Sequence, residues 1–407
     1  MYDLRLTRCT IVTPALEIED GAVSIKDGKI AFIGKRNSVH LEKSQEEIDV
    51  KGHLVVPGFF DIHTHGGAGV GYNEITDIQK GTEILEKISC LSAAEGTTSF
   101  LPTMSIGPDE TLDEFISKVG IASDIMGNIY KAARPLGLNL ELFMYPGLGA
   151  FAPAGEQQQP VPRPNIPTWK KIQAAAKKAV KIVTVAPEWD DGLDLIQHLR
   201  FNGIVPSIGH TFAEDSILDE AIRRGALLVT HLLNTTFQPK QDQIGVIVPG
   251  VNEYLLTRDD IMAEIIVDNN GSHVHPTMLK IAIKCLGTDR LITITDAVKS
   301  RGTDATEFER EGTTLFCDGN VNRKPDGHLS GTALGMNRVI RNFIAQGKVT
   351  LQEALKTATI NPARLLNISH KKGSIETGKD ADITVIDSDF NIFLTLVGGK
   401  VVYQDLD

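Results

Sequence analysis

The sequence predicts an α/β protein: a (β/α)8 TIM barrel with a small β-sandwich domain formed by the N- and C-terminal segments. Two observations predict this fold. Strand-like apolar segments alternate with amphipathic helices along the middle of the chain, which indicates βα units around a parallel sheet. Both ends are instead rich in short strands and turns. We therefore assign residues 1–56 and 370–407 to the small domain, and residues 57–369 to the barrel.

Eight strand candidates can be counted in the barrel region, which is the number that closes a (β/α)8 barrel. In chain order they read VVPGFFDIHTH, TTSFLPT, LGLNLELFM, KIVTVAPE, GIVPSIGH, GALLVTH, AEIIVD and RLITITD. Two helices carry end signals. Thr211 is expected to cap a helix over 212–224, and Thr350 with Glu353 has the spacing of a capping box.

The terminal segments carry hairpin and strand signals of their own. Asp27-Gly28 lies between AVSI and KIAFIG, which is typical of a β-hairpin. The C-terminal stretch contains ADITVID and FLTLVGGKVVYQ. The two ends are therefore expected to meet in one domain. Two stretches without clear periodicity, 151–167 and 236–258, are expected to be either functional loops such as lids or surface inserts.

The composition excludes several classes of function. The 407 residues are 42% hydrophobic and carry a formal net charge of −11, which argues against nucleic acid or an anionic membrane as partner. No run approaches the length of a membrane span, and the N-terminus lacks the apolar core of a signal peptide. The four cysteines form no CxxC pair, so neither a disulfide framework nor a thiolate zinc site is indicated. We expect a cytoplasmic protein.

Polar residues recur where the apolar strands end. The candidate metal ligands are His63, His65, Glu141, His210, His231 and Asp296. In a barrel of this kind the carboxyl ends of all strands converge on one mouth, so residues far apart in sequence meet there. We therefore expect these side chains to form one cluster.

The residue types in this set point to metal-assisted hydrolysis. His63 and His65 are two apart on a strand and point to the same side, and a pair of neutral imidazoles binds divalent metals well. The alternative is an ordinary polar pair near a turn. Asp296 supplies a carboxylate that can move a proton from water to a leaving amine, unless it only caps a helix. His273 could polarise the scissile carbonyl or be an ordinary loop histidine.

Longer motifs carry a family resemblance nearly from end to end. They are VVPGFFDIHTHGG, EGTTSFLPT, VTVAPE, SIGHTFA, VTHLLN, ITDAV, GHLSGTALGM, ATINPARLL and GSIETGKDADITVID. In these motifs and their order, the chain resembles the N-acetylglucosamine-6-phosphate deacetylases of the amidohydrolase superfamily.

The resemblance implies a homodimeric enzyme that holds one or two zinc or iron ions and removes the acetyl group from an N-acetyl amino sugar. It implies that His210, His231 and a glutamate after strand three hold one ion, and that the HxH pair helps to hold a second. It implies that Asp296 is the catalytic acid and base. The substrate-binding residues it implies are Asn234, Thr235, Gln157, His273, Leu329, Ser330 and Gly331.

The departures from the family pattern leave two points open. In LGLNLELFMYPG, one alignment puts Glu141 at the strand-three ligand position and another puts Tyr145 there. Gln157 stands near a phosphate-binding histidine of the family, and Asp242 stands where an arginine is expected. The alternatives are therefore an amidohydrolase for a different, non-phosphorylated N-acyl substrate and a non-catalytic derivative that binds sugar.

Overall fold

The computed structural model describes residues 1–38, 43–145, 162–234, 249–310 and 312–406. The sequence expectations for Gln157, Thr235 and Asp242, and most of the two predicted loops, lie outside these residues. Within the second loop region, the structure places a short helix at Val251–Leu256, which the sequence pattern did not predict.

The two ends of the chain form one eight-stranded sheet, as predicted. Its spatial order is β20-β19-β18-β5-β1-β2-β3, with β4 paired to β1. The strands are β1 (Tyr2–Val12), β2 (Glu17–Lys26), β3 (Lys29–Lys35), β4 (Ser44–Asp49), β5 (Leu54–Pro57), β18 (Ile383–Ile386), β19 (Ile392–Val397) and β20 (Lys400–Gln404). The antiparallel pairing of β18 with β5 joins the two ends. The sheet buries an apolar core of its own, which includes Leu6, Val23 and Leu394.

The middle of the chain forms the predicted barrel of eight parallel strands. They are β6 (Phe59–Thr64), β7 (Thr97–Met104), β8 (Leu138–Phe143), β9 (Val180–Val185), β10 (Val205–Ile208), β11 (Leu228–Val229), β12 (Met262–Ile266) and β13 (Leu291–Ile294). A hydrogen bond of 2.9 Å from the Asp296 N–H to the His63 carbonyl and a parallel bridge between Thr64 and Ala297 close the ring.

The barrel strands are buried along nearly their whole length. All eight residues of β7 are buried, as is typical of parallel strands that helices cover from outside. One apolar cluster collects side chains from strands around the ring, among them Phe60, Leu101, Ile182 and Ile266. The strands therefore enclose a packed core, and their carboxyl ends are left to carry the polar residues.

Helices connect the strands and cover the barrel. They are α1 (Ile78–Ala94), α2 (Leu112–Ile125), α3 (Ile166–Ala176), α4 (Gly192–Phe201), α5 (Asp215–Arg223), α6 (Val251–Leu256), α7 (Pro276–Leu286), α8 (Met336–Gly347), α9 (Leu351–Ala358) and α10 (Ile360–Leu365). The predicted capping box at the start of α9 is present, with Thr350 and Glu353 bonded to each other's backbone N–H.

The predicted start of α5 is wrong. The helix begins at Asp215, and Glu214 occupies the N-cap position. The Thr211 hydroxyl instead donates a hydrogen bond to Glu188, whose other oxygen accepts from the Phe212 N–H. Glu188 thus ties down the segment between β10 and α5 in place of the expected cap.

An antiparallel sheet that the sequence pattern did not predict lies between β13 and α8. Its strands are β14 (Glu307–Arg310), β15 (Thr313–Cys317), β16 (Val321–Arg323) and β17 (Leu329–Thr332). Thr332 at the end of β17 donates its N–H to the Asp296 carbonyl at 2.9 Å. This small sheet therefore stands over the barrel mouth. Among the described residues, no helix is both long and apolar enough to cross a bilayer.

Candidate metal centre

The structure gathers all six predicted ligands at the carboxyl ends of the barrel strands. His63 lies near the end of β6 and His65 follows it, Glu141 lies in β8, His210 and His231 follow β10 and β11, and Asp296 follows β13. Their donor atoms fall into two overlapping groups. One contains His63, His65 and Asp296, and the other contains His63, Glu141 and His231.

The first group is built around the HxH pair. The Nε2 atoms of His63 and His65 are 3.3 Å apart. The Oδ1 atom of Asp296 is 3.6 Å from the first of these nitrogens and 3.3 Å from the second. All three side chains therefore direct their donor atoms at one small volume.

The second group is built around Glu141. Its Oε1 atom is 2.6 Å from Nε2 of His210 and 2.9 Å from Nε2 of His231. Its Oε2 atom is 3.3 Å from Nε2 of His65 and 3.9 Å from Nε2 of His63. One carboxylate thus faces both groups, which is the position that a ligand bridging two cations requires.

The donor set fits a divalent metal in type and spacing. Four ligands placed about 2.0–2.1 Å from a zinc ion stand roughly 3.3–3.4 Å from one another. The His63–His65, His65–Asp296 and His65–Glu141 separations are all 3.3 Å. Imidazole nitrogens with carboxylate oxygens suit zinc or iron better than calcium or magnesium, which prefer oxygen alone.

The backbone turns sharply at three of these residues. His210, His231 and Asp296 have φ angles of 50°, 26° and 45°, in the left-handed region that non-glycine residues rarely adopt. Each such residue costs about 1–2 kcal/mol, and strain of this kind concentrates at functional sites. A sharp turn at the strand end lets the side chain point back into the mouth.

Of the two strand-three candidates, Glu141 lies among the histidines and Tyr145 lies outside the cluster. The Tyr145 ring packs against Phe212 and Trp189, with centroid distances of 5.3 and 6.5 Å. The backbone N–H of Tyr145 donates to the carbonyl of His210, so Tyr145 supports the strand ends through its backbone. The carboxylate of Glu141, and not the Tyr145 ring, therefore lies within contact of His210 and His231.

Glu264 is a buried carboxylate that the sequence analysis missed. Its Oε2 atom accepts from Nδ1 of His63 at 2.9 Å and from the backbone N–H of His231 at 3.2 Å. A proton held on Nδ1 leaves the Nε2 lone pair of His63 free for a metal. The available signal was a glutamate inside the apolar run AEIIVD, since a charge in a central barrel strand needs a partner.

Asp61 is a second buried carboxylate outside the predicted set. It accepts from the Thr295 hydroxyl at 2.6 Å and from the backbone N–H groups of His63 and Thr295, each at 3.3 Å. Arg301, which is 1% exposed, lies 3.9 Å from it. Asp61 therefore links the two strand ends that carry His63 and Asp296, and Arg301 compensates its charge.

The described substrate-binding candidates lie on segments that follow the barrel strands, or in the small sheet. Asn234 accepts from Nδ1 of His231 through its backbone carbonyl at 3.3 Å. Asp268 bonds Nδ1 of His273 at 3.0 Å, and Nε2 of His273 is buried without a partner among the described residues. Leu329, Ser330 and Gly331 lie in β17 beside Asp296.

Burial and neighbouring charges set the ionisation of the cluster. Burial raises the pKa of Glu141, but His210 and bonds from three histidines outweigh it and hold that pKa well below its usual range. Burial opposes ionisation of Asp296 too, yet His65 and His63 lower its pKa. Burial lowers the pKa of His63, but Glu264 and the other carboxylates raise it to about 10. Glu141 and Asp296 are therefore ionised at neutral pH and can bind cations.

Comparison with known proteins agrees with this geometry. Residues 54–402 match the model of the amidohydrolase family. An N-acetylglucosamine-6-phosphate deacetylase of Bacillus subtilis (strain 168) is 32% identical over 405 residues, covering 97% of this chain and 95% of that protein. An N-acetylgalactosamine-6-phosphate deacetylase of Escherichia coli O157:H7 is 28% identical, covering 94% of this chain and 95% of that protein.

A solved structure shares the whole architecture. The crystal structure of N-acetylglucosamine-6-phosphate deacetylase from Pasteurella multocida superposes with a TM-score of 0.84 at 27% identity, covering 98% of this chain and 99% of that one. The fold, the clustered ligands and the matched family model agree. The chain therefore belongs to the amidohydrolase family.

Proposed function

We propose that the protein is a metal-dependent deacetylase that hydrolyses the amide bond of an N-acetyl amino sugar, with N-acetylglucosamine 6-phosphate as the first substrate to test. The observation that carries the proposal is the cluster in which Glu141 and Asp296 lie among four histidines in two overlapping donor groups. The similarity to deacetylases over nearly the whole chain supports this substrate class.

The metal would be held by His63, His65 and Asp296 on one side and by His210 and His231 on the other, with Glu141 between them. A bound divalent ion would supply Lewis acidity toward the amide carbonyl and activate water. We propose zinc or iron as that ion. Two groups of donors that share His63, with Glu141 facing both, favour two ions per subunit, which elemental analysis of protein purified without chelator would count.

Asp296 is proposed to carry the proton through the reaction. Its low pKa keeps it ionised, so it can accept a proton from the attacking water. The same carboxyl group can then deliver that proton to the departing amine nitrogen. The imidazolium form of His273 is proposed to donate from Nε2 to the carbonyl oxygen, because the Asp268 carboxylate accepts from Nδ1, fixes the ring and balances its positive charge.

The test measures acetate release from N-acetylglucosamine 6-phosphate with wild-type protein and with Asp296→Asn. We expect turnover by the wild type, and its loss in the variant with an unchanged circular dichroism spectrum. Chelation should abolish turnover in the wild type, and added metal should restore it. Near-normal activity of the folded variant would refute the proposed role of Asp296.

A second candidate is deacetylation of a related N-acyl sugar. The relative named as an N-acetylgalactosamine-6-phosphate deacetylase motivates the other epimer, and Gln157 and Asp242 motivate a substrate without phosphate. A panel of phosphorylated and unphosphorylated N-acetyl sugars of both epimers would discriminate. A preference of at least tenfold in kcat/KM for one compound would identify the substrate.

We also propose that the protein is a cytoplasmic homodimer. The deacetylase resemblance suggests the dimer, which sedimentation equilibrium would test. Cys9, Cys90, Cys285 and Cys317 are all free thiols, as expected in a reducing compartment.

A further inference from the structure

Asp268 and His273 form a buried pair in the segment that follows β12. Asp268 is 0% exposed, and its Oδ2 atom accepts both from the backbone N–H of His273 at 2.8 Å and from Nδ1 of the same residue at 3.0 Å. The other ring nitrogen of His273, Nε2, is buried and has no partner among the described residues. Because Oδ2 binds the histidine at two points, the orientation of the Asp268 carboxylate fixes the direction in which Nε2 points.

The second oxygen of Asp268 is held by three donors. Its Oδ1 atom accepts from the backbone N–H groups of Asn270 and Ser272 at 3.0 and 2.9 Å. It also accepts from Nδ2 of Asn320 at 3.4 Å. Burial raises the pKa of Asp268, but the bonds from His273 and Ser272 outweigh it and hold that pKa well below its usual range. Asp268 is therefore an ionised acceptor, and Asn320 helps to set the plane of its carboxylate.

Asn320 reaches this pair from the small sheet. It is 4% exposed and lies in the turn between β15 and β16. Its Oδ1 atom accepts from the backbone N–H of Asn269 at 2.8 Å. A backbone N–H can only donate and a carboxylate can only accept, so these two neighbours fix which way the side-chain amide of Asn320 faces. Asn320 therefore binds both the Asp268 side chain and the backbone that follows it.

The turn that carries Asn320 is itself constrained. The Oδ1 atom of Asp318 accepts from the backbone N–H groups of Asn320 and Val321 at 2.9 and 2.8 Å. Gly319 within the turn has a φ of 80°, a conformation that favours glycine. The Ala333 N–H donates to the Asn320 carbonyl at 2.9 Å. Asn320 is thus held through its side chain and through both of its backbone groups.

The same pair of strands extends to Asp296. Val321, the residue after Asn320, pairs with Thr332 of β17. The Thr332 N–H in turn donates to the Asp296 carbonyl at 2.9 Å. The small sheet therefore connects the segment after β12 with the segment after β13.

We propose that Asn320 is a positioning residue for His273, acting through the Asp268 carboxylate, and that the small sheet thereby fixes His273 relative to Asp296. This inference rests on the proposed function, in which His273 donates to the carbonyl oxygen and Asp296 moves the proton. A group that acts in a transition state loses much of its effect when it is displaced by about 1 Å. In this scheme the contribution of Asn320 to the rate depends on the presence of His273.

The test compares the metal-loaded wild type with Asn320→Ala, His273→Asn, the double variant of both and the control Asn361→Ala. Asn361 is also a buried asparagine, 0% exposed, whose Nδ2 donates to the carbonyls of Thr288 and Leu291 at 2.7 and 2.8 Å. Leu291 begins β13, at the end of the barrel away from the metal centre. The control therefore removes a buried amide and its hydrogen bonds without touching the site.

We expect Asn320→Ala to lower kcat for N-acetylglucosamine 6-phosphate roughly 10- to 100-fold while KM stays within about threefold, because a displaced donor is missed in the transition state. In the His273→Asn background the same substitution should change kcat by less than about threefold. Asn361→Ala should keep the wild-type kcat. Losses that multiply in the double variant, or an unchanged kcat in Asn320→Ala, would overturn the positioning role. If Asn320→Ala does not fold, Asn320→Ser, whose hydroxyl is too short to span both contacts, is judged by the same criteria.

A second measurement does not depend on turnover. The Nδ1 proton of His273 is bonded to Asp268, so its exchange with water can be followed by nuclear magnetic resonance in protein with isotope-labelled histidine, where His273→Asn identifies the signal. Asn320→Ala should speed this exchange by at least about tenfold, because a carboxylate that can rotate releases the proton more often. Asn361→Ala should leave the exchange unchanged.

Failure of the proposed function is distinguishable from failure of the positioning role. If the wild type hydrolyses no N-acetyl sugar, the proposed function is refuted, and the exchange rate alone judges how Asn320 holds His273. Faster exchange in Asn320→Ala than in Asn361→Ala supports the positioning role. Equal exchange rates in the wild type and Asn320→Ala overturn it.

Discussion

Replacing Glu264 with glutamine is expected to weaken divalent metal binding while leaving the barrel folded. The substitution keeps the size of the side chain, so no cavity forms in β12. It removes the negative charge that His63 and the backbone N–H of His231 both contact. Because each of these histidines belongs to a different side of the cluster, both sides should be affected.

The expected magnitude follows from these two bonds. Hydrogen bonds to a charged group contribute about 1.5–3 kcal/mol, against about 0.5–1.5 kcal/mol for a neutral pair. Loss of the charge on Glu264 therefore costs about 1 kcal/mol or slightly more per bond, or about 2–3 kcal/mol for two bonds. This corresponds to a roughly 30- to 160-fold weaker metal affinity, which lies at the upper end of the effects known for partners of metal ligands.

The assay is a competition titration of metal-free protein against a chelator of known affinity, together with metal content after dialysis. Asp382→Asn serves as the matched control. Asp382 is also a buried carboxylate, 7% exposed, but it lies beside the terminal sheet and bonds Lys372 and the Gly398 N–H. The Asp382→Asn variant should bind metal with the same affinity as the wild type.

A metal affinity of Glu264→Gln within threefold of the wild-type value would refute the reasoning. It would mean that His63 keeps its orientation and basicity without the carboxylate. A variant that fails to fold, measured by circular dichroism, would contradict the expectation that the metal-free barrel tolerates the change.

Three further outcomes are expected. Protonated His63 stabilises the metal-free fold, because folding raises the pKa of His63 to about 10. This stabilisation is complete below the ordinary histidine pKa of 6.5 and is lost as the pH rises through about 10, so Tm should fall between these two pH values. A constant or rising Tm contradicts this expectation. Arg301→Met leaves Asp61 buried without its cation and should reduce the free energy of unfolding in urea by about 3–5 kcal/mol; a loss under about 1 kcal/mol contradicts this. Gly331 has a φ of 76°, and an added Cβ would lie 2.6 Å from the Asp296 carbonyl, so Gly331→Ala should lower kcat roughly 10- to 100-fold with metal content retained; an unchanged kcat contradicts this.

Local patterns in the chain were sufficient for much of this fold. Each barrel strand is a short apolar run, and the capping box at Thr350 and Glu353 is a contact between near neighbours in sequence. Where a local signal had a competitor from elsewhere in the chain, the prediction was wrong. Thr211 has a suitable cap residue type, but Glu188 from the preceding βα unit accepts its hydroxyl.

The site was predictable to the extent that the barrel itself orders its strand ends. His63, His210, His231 and Asp296 each follow an apolar run directly, and a closed ring of parallel strands brings such positions together. The partners of those residues were not predictable in the same way. Arg301 lies far along the chain from Asp61, and no local signal pairs them.

By itself, the sequence determined the order of the barrel strands and the polar residues at their ends. It thereby indicated the class of chemistry, because these features depend on periodicity and residue type over a few positions. Only the tertiary structure placed the carboxylate of Glu141 among the histidines, revealed Glu264 behind His63, and brought the small sheet β14–β17 against Asp296. These depend on the register between neighbouring strands and on where an inserted sheet lies, which distant contacts set together and no short stretch of chain encodes.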